Sequence, residues 1–199
     1  MNILDIGCGY GGLLFNMSPF LKEGDLALGM EIRDKVSNYV MDRINAIRIN
    51  SEGEGASNIS VIRTNAMKVI LNYFKKGQIE RMFFCFADPH FKKYNHRRRI
   101  INRYLLQDYA YLLKENGILY SITDVEDLHL WHLEAINSFP CFKRIDNEEL
   151  EKDKFLDFMK NTDEARKVMR NKGKTYYAAW VRVFPKITSF NQVLNQLKS

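Results

Sequence analysis

Short apolar runs closed by polar or glycine-rich turns recur along this chain, and between them lie longer stretches whose apolar residues return at helical spacing. The runs predict strands over residues 2–6, 25–31, 59–63, 81–86 and 118–123. The longer stretches predict helices over 13–20, 34–49, 67–75 and 99–113. Such alternation implies an α/β fold, a mostly parallel sheet covered by helices on both faces. A further strand over 177–184, with one near 141–145, supplies an antiparallel edge of the kind such sheets often carry. Residues 50–57 are polar and glycine-rich and read as a loop. Residues 146–157 are dense in acids and read as a solvated excursion, with docking of a basic partner as the alternative.

Composition narrows the picture modestly. With 199 residues, 46% of them hydrophobic, the chain suffices for one well-buried core, so a single domain over 1–199 is expected. A net charge of +6 favours an anionic partner such as nucleic acid. Cys8, Cys85 and Cys141 are widely spaced and include no Cys-x-x-Cys pair, which suggests neither a disulfide framework nor a zinc site and points to a reducing compartment. No apolar run approaches the roughly 20 residues of a membrane helix, and no signal peptide precedes the first strand, so a soluble intracellular protein without a membrane partner is expected.

The first strand ends in Asp5, followed by Gly7-x-Gly9-x-x-Gly12 and the start of a helix. A glycine loop there lets the backbone approach a ligand closely and aims helix N–H groups at it. Nineteen residues beyond Gly12, Glu31 closes the second strand, where a carboxylate can accept hydrogen bonds from a ribose diol. Three readings fit the loop: an S-adenosylmethionine site, a dinucleotide site and a structural turn. Asp5 favours the first, because a carboxylate repels a pyrophosphate and attracts an ammonium or sulfonium. Asn65 and Ala66 follow the third strand, where a polar side chain and a backbone N–H reach an adenine edge.

The fourth strand runs into Asp88-Pro89, and in an open parallel sheet its end lies beside the first strand, at the place where ligands bind. Pro89 restricts Asp88 and stiffens the turn that aims its carboxylate. Lys92, Lys93, Arg97, Arg98, Arg99 and Arg103 follow with no acid among them, interleaved with Tyr94 and His96. Cations suit phosphates and the rings suit stacking on bases, so this basic loop, 89–103, reads as an RNA contact. Thr162-Asp163-Glu164 reads as a helix cap with acids in the first turn. His129 and His132 flank a packed helix face, and no metal site is expected.

Together these motifs resemble the tRNA (guanine-N7)-methyltransferase family, in its eukaryotic catalytic-subunit form. The likeness runs through Asp5 to Leu14, Glu31-Ile32-Arg33-x-Lys35-Val36-Ser37, Arg63 to Lys68, Asp88-Pro89-His90-Phe91-Lys92, Ile122-Thr123-Asp124-Val125 and Lys167-Val168-x-Arg170-Asn171-x-Gly173-Lys174. It implies a Rossmann-like, seven-stranded class I methyltransferase fold and methyl transfer from S-adenosylmethionine to N7 of a guanosine in the variable loop of tRNA. It also implies cofactor contacts from Gly7, Gly9, Glu31, Ile32, Arg33, Asn65, Ala66 and Cys85, and Asp88 as the catalytic residue. Thr162, Asp163 and Glu164 match a motif that closes over the cofactor, which replaces the simple capping reading. Lys92, Lys93, Arg97, Arg98, Arg99, Lys167 and Arg170 are the expected RNA contacts. A WD-repeat β-propeller partner and a nuclear location are further implications; a non-catalytic, cofactor-retaining RNA-binding subunit is the alternative. Two departures stand out. Ala87 occupies a position where the family more usually has proline, and the chain begins at the first strand, where family members generally carry a basic extension, so a minimal version or a shortened N-terminus is expected.

Overall fold

A computed structural model describes residues 1–184; residues 185–199 of the expected single domain lie outside the described residues. The chain forms, in order, β1 (Ile3–Ile6), α1 (Gly12–Met17), β2 (Ala27–Glu31), α2 (Asp34–Asn50), β3 (Ile59–Arg63), α3 (Ala66–Val69), β4 (Ile79–Cys85), α4 (Arg103–Leu112), β5 (Leu113–Thr123), α5 (Glu126–Asn137), β6 (Phe142–Arg144), α6 (Asn147–Leu150), α7 (Lys154–Lys160), α8 (Asp163–Arg170) and β7 (Tyr176–Arg182). The seven strands lie in the order β3-β2-β1-β4-β5-β7-β6. Pairings from β3 through β5 are parallel, while β7 runs antiparallel to both β5 and β6. The strand order reverses beside β1, between β2 and β4, so loops leaving β1 and β4 converge at one point above the sheet.

Strand alternation sorts the core into two layers. Met82 and Phe84 of β4 point to one face, where they join Leu106 and Tyr109 of α4 and Trp180 of β7. Phe83 points to the other, against Tyr120, Val40 and Ile44 of α2 and Phe155 of α7. Both faces of the strands are covered, which is why they read as continuous apolar runs. Gly29 is required in β2, because a Cβ there would lie 2.6 Å from the Cys8 sulfur and 2.8 Å from Leu14 Cδ1. Its bare backbone is what lets the glycine loop and α1 sit down on the sheet.

Several boundaries differ from expectation, each for a physical reason. The helix expected from 99 begins at Arg103, because Asn102 accepts hydrogen bonds from the N–H groups of Tyr104 and Leu105 and so fixes the start. The helix expected over 67–75 is a short α3 followed by a 3-10 turn over Ile70–Asn72. The acid-rich segment is no solvated excursion: Asp146 and Asp153 cap α6 and α7, and Leu150, Phe155 and Leu156 are buried.

Candidate active site

The turn after β1 is made by three glycines in the left-handed region, Gly7, Gly9 and Gly11, at φ 76°, 54° and 78°. Gly7 N–H donates to the Met30 carbonyl at 2.8 Å, pinning the turn to β2. Gly9 N–H points to Glu31, donating to Oε2 at 3.0 Å. Glu31 receives three more bonds from Arg33: Arg33 N–H at 2.8 Å and Nε at 3.0 Å to Oε1, and Nη2 at 3.1 Å to Oε2. Burial would raise this carboxyl, but the Arg33 side chain and backbone, with Gly9, hold it below the usual range. All four acceptor positions are therefore filled by the chain itself. A ribose diol reaches this carboxylate only by exchanging with the guanidinium, whose side chain is 58% exposed and has room to move aside.

A cavity of about 420 Å³ opens beside this carboxylate, lined by Gly7, Glu31, Ile32, Arg33, Asn65 and Ala66 among others. Asn65 precedes α3 and lines the cavity, and its side chain makes no capping bond to that helix. A second, smaller cavity of about 220 Å³ holds Asp5, Gly7, Gly9, Arg33, Cys85 and Glu164. Asp5 is 1% exposed, and among the described residues its Oδ1 has no hydrogen-bond partner. Burial, reinforced by Glu164 and Glu31, pushes its carboxyl up to about 8. Burial and the Asp5 carboxyl also push the Cys8 and Cys85 thiols well above their ordinary range, so both stay neutral.

Glu164 reaches this cavity from α8. Thr162 caps that helix, its Oγ1 accepting from Ala165 N–H at 3.3 Å while donating to the Met159 carbonyl at 3.1 Å. The same cap sets the start of α8 against the glycine turn: a Cβ on Gly12 would lie 3.5 Å from both Thr162 Cβ and Asp163 N, and one on Gly9 would lie 3.5 Å from Glu164 Oε1. On its far side Glu164 faces a third cavity of about 350 Å³ with Phe86, Asp124, Lys167, Asn171 and Lys174. Arg170 lies exposed in the last turn of α8 and does not line that cavity. Phe86 borders all three compartments at φ 52°, so one strained residue stands where they meet.

Asp88 lies at the rim of the first cavity with a side chain 72% exposed. Its Oδ1 accepts from His90 N–H at 2.9 Å, closing a tight turn that puts His90 at φ 45°. Lys92, Lys93, Arg97 and Arg98 are exposed beside it. Arg99 is not part of that surface. It is 4% exposed, and its Nε donates to the Pro89 carbonyl at 2.9 Å, so the guanidinium expected to meet phosphate is turned inward. His132 is buried and shares a hydrogen bond with Ser121, and among the described residues no three His, Cys, Asp or Glu side chains gather to hold a metal ion.

Sequence reasoning did not single out Phe86, Thr64, Asn171 or Lys174 as site residues. Thr64, Asn171 and Lys174 lie inside stretches that carry the family resemblance, which was the available signal. The donor set fits a nucleoside with a cationic tail. Asn65 and the exposed Ile32 suit a base, Glu31 a diol, and the orphaned Asp5 with Glu164 a positive group.

The fold is that of the class I methyltransferases. Solved structures that share it include the aminoglycoside resistance methyltransferase NpmB1 (TM-score 0.58, 11% identity, 91% of this chain and 86% of that one) and a geranyl diphosphate methyltransferase in complex with SAM (TM-score 0.54, 13% identity, 92% and 78%). A family model described as putative methyltransferase matches residues 1–179. The tRNA (guanine-N(7)-)-methyltransferase of Kluyveromyces lactis is 51% identical over 185 residues, covering 92% of this chain and 66% of that protein, and the one of Drosophila persimilis is 48% identical, covering 92% and 74%. The chain belongs to the tRNA (guanine-N(7)-)-methyltransferase family. It spans about two thirds of the length of the curated relatives it matches.

Proposed function

We propose that this chain transfers a methyl group from S-adenosylmethionine to N7 of a guanosine in tRNA, in the variable loop as the resemblance implies. The observation that carries the reading is the meeting, at Phe86, of a nucleoside-sized cavity, an acid-walled pocket and the Asp88 turn, with exposed cations alongside. Gly7, Glu31, Ile32, Asn65, Ala66 and the backbone of Arg33 hold the nucleoside; Asp5, Cys85 and Glu164 surround the cationic end, with Thr162 and Asp163 carrying Glu164 into place. When bound, the cofactor supplies an electrophilic methyl group on a sulfonium.

Guanine N7 carries a free lone pair, so the site needs no base. Its task is to hold the purine in line and to keep water out. The purine becomes cationic as N7 is alkylated, and a carboxylate, that of Asp88 or Glu164, binds its N1–H and amino group more strongly as that charge grows. Lys92, Lys93, Arg97, Arg98 and Lys167 supply phosphate contacts, which help offset the few kcal/mol needed to expose the base. A WD-repeat β-propeller partner and a nuclear location belong to the same proposal and rest on the resemblance.

Transfer of labelled methyl to unmodified tRNA, with and without such a partner, tests this directly, with nucleoside analysis of the product. Label in 7-methylguanosine is expected. Cofactor binding without label under either condition leaves a cofactor-retaining RNA-binding subunit instead. Asp88→Ala should lower turnover by roughly 100-fold while leaving cofactor affinity within about twofold; near-normal turnover removes Asp88 from the reaction.

A further inference from the structure

The Asp88 turn carries an exposed carboxylate, and it is bracketed by two non-glycine residues in the left-handed region, Phe86 at φ 52° and His90 at φ 45°. Such conformations are strained and persist only when the surroundings impose them. Two hydrogen bonds tie this turn to the body of the protein. Upstream, Phe86 N–H donates to the Ile122 carbonyl of β5 at 2.8 Å. Downstream, Arg99 Nε donates to the Pro89 carbonyl at 2.9 Å.

Arg99 is itself fixed from several directions. Its guanidinium stacks on the Trp131 ring of α5, 4.8 Å from the centroid, and Nη2 lies 3.1 Å from His96 Nε2. The His96 ring packs edge-on against the same Trp131. The Arg99 carbonyl accepts from Asn102 Nδ2 at 2.8 Å, and Trp131 Nε1 donates to the Ile101 carbonyl at 2.8 Å. Tyr109 OH adds a bond to the Ile100 carbonyl, and Ile101 is fully buried. A planar cation clamped between a tryptophan and a histidine, and donating to one particular carbonyl, fixes the position of that carbonyl.

We propose that Arg99 is a positioning residue, which sets where the Asp88 carboxylate stands by holding the Pro89 carbonyl from a platform made by Trp131 and His96. The inference rests on the methyl-transfer reading above. Misplacing a reacting group by about 1 Å can cost about 100-fold in rate. Loss of the strap therefore acts on turnover and leaves both binding steps nearly untouched.

The test compares the unmutated chain with Arg99→Met, which keeps the aliphatic stem, and Arg99→Lys, which keeps the charge and a donor but loses the planar stack. Both are assayed with the WD-repeat partner present if the unmutated chain needs it. Single-turnover methyl transfer should fall about 10- to 100-fold in Arg99→Met and less in Arg99→Lys, with cofactor and tRNA dissociation constants within about twofold. Millimolar ethylguanidinium should restore part of the rate of Arg99→Ala, which vacates the space of the side chain; a merely destabilised protein would not show this. Amide hydrogen exchange over residues 86–91 should quicken in Arg99→Met while β4 and β5 keep their protection. An unchanged rate, unchanged exchange in the turn, or a rate loss that tracks weaker tRNA binding overturns the proposal; should Arg99→Met melt below the assay temperature, Arg99→Lys decides alone on the same criteria. No methyl transfer by the unmutated chain defeats the functional reading instead, and the exchange comparison still decides whether Arg99 holds the turn.

Discussion

Asp5, one residue before the end of β1, and Glu31, the last of β2, lie on adjacent strands of one sheet at 1% and 3% exposure, yet they are opposites chemically. Glu31 accepts four hydrogen bonds and is held ionised; Asp5 has an orphaned oxygen and a carboxyl that burial, Glu164 and Glu31 push up to about 8. Depth in the fold does not separate them. What differs is the supply of donors: the turn after β2 returns the Arg33 side chain onto Glu31, whereas among the described residues nothing donates to Asp5 Oδ1. One carboxylate is finished by its own chain, and in the proposed reading the other is finished by the cationic end of the cofactor.

Removing that unfinished charge should have the largest effect. Asp5→Asn is expected to weaken S-adenosylmethionine binding by about 10- to 100-fold at pH 8, the equivalent of one charge-assisted hydrogen bond. The free chain should melt no lower, since a buried carboxyl with no partner stabilises nothing; titration calorimetry and thermal melts check both halves. An unchanged affinity would remove Asp5 as the counter-charge.

Proton linkage comes next. Because the ionised form of Asp5 binds the cation, affinity should rise by up to about tenfold per pH unit between 6 and 7 and level off near 8, with a proton released on binding. Calorimetry in buffers of different ionisation heat reads that proton. For the free chain the sign is reversed. Asp5 holds its proton more tightly folded than unfolded, so its contribution is complete below the ordinary carboxyl range and is lost as pH rises toward 8. His132 opposes this at the acid end: burial, with His129 and Arg99, brings its imidazole down to about 3, so stability falls as pH drops below 6.5. Above 6.5 only the Asp5 slope of the pair remains. Melting temperature should therefore decline from pH 6.5 to 8 in the free chain, and the decline should vanish in Asp5→Asn.

Smaller effects belong to the finished side. Glu31→Gln should lower unfolding free energy by about 1–2 kcal/mol in urea titrations, a modest figure because the Arg33 side chain is more than half exposed. Arg33→Ala should change cofactor affinity by less than about threefold, because two donors leave a carboxylate that the diol can then occupy. A tenfold loss there would make the guanidinium itself a ligand contact.

Position along the chain was legible where local chemistry decides. β1 to β4 follow from apolar runs, and Asp5, Glu31, Asn65 and Asp88 follow from being the residues at or just beyond strand ends. Pairings across the fold were not. That Arg33 fills Glu31 depends on a side-chain rotamer, and that Arg99 turns inward depends on Trp131 and the Pro89 carbonyl, brought together only by the packing of α5. Arg99 in sequence is one more cation in a basic run. The acid-rich segment misled for a related reason: Asp146 and Asp153 are helix caps, and the charge around them hid Leu150, Phe155 and Leu156, which are core.

Glu164 approaches the glycine turn from the other end of the described chain, so the acid-walled pocket is assembled from the first strand and one of the last helices. Its closure entropy is that of nearly the whole domain, and pocket formation should be among the last events of folding. A ligand bridging Asp5 and Glu164 then works as a reversible crosslink between the two ends of the fold, raising stability by RT ln(1 + [L]/Kd) and slowing the opening of α8 from the sheet.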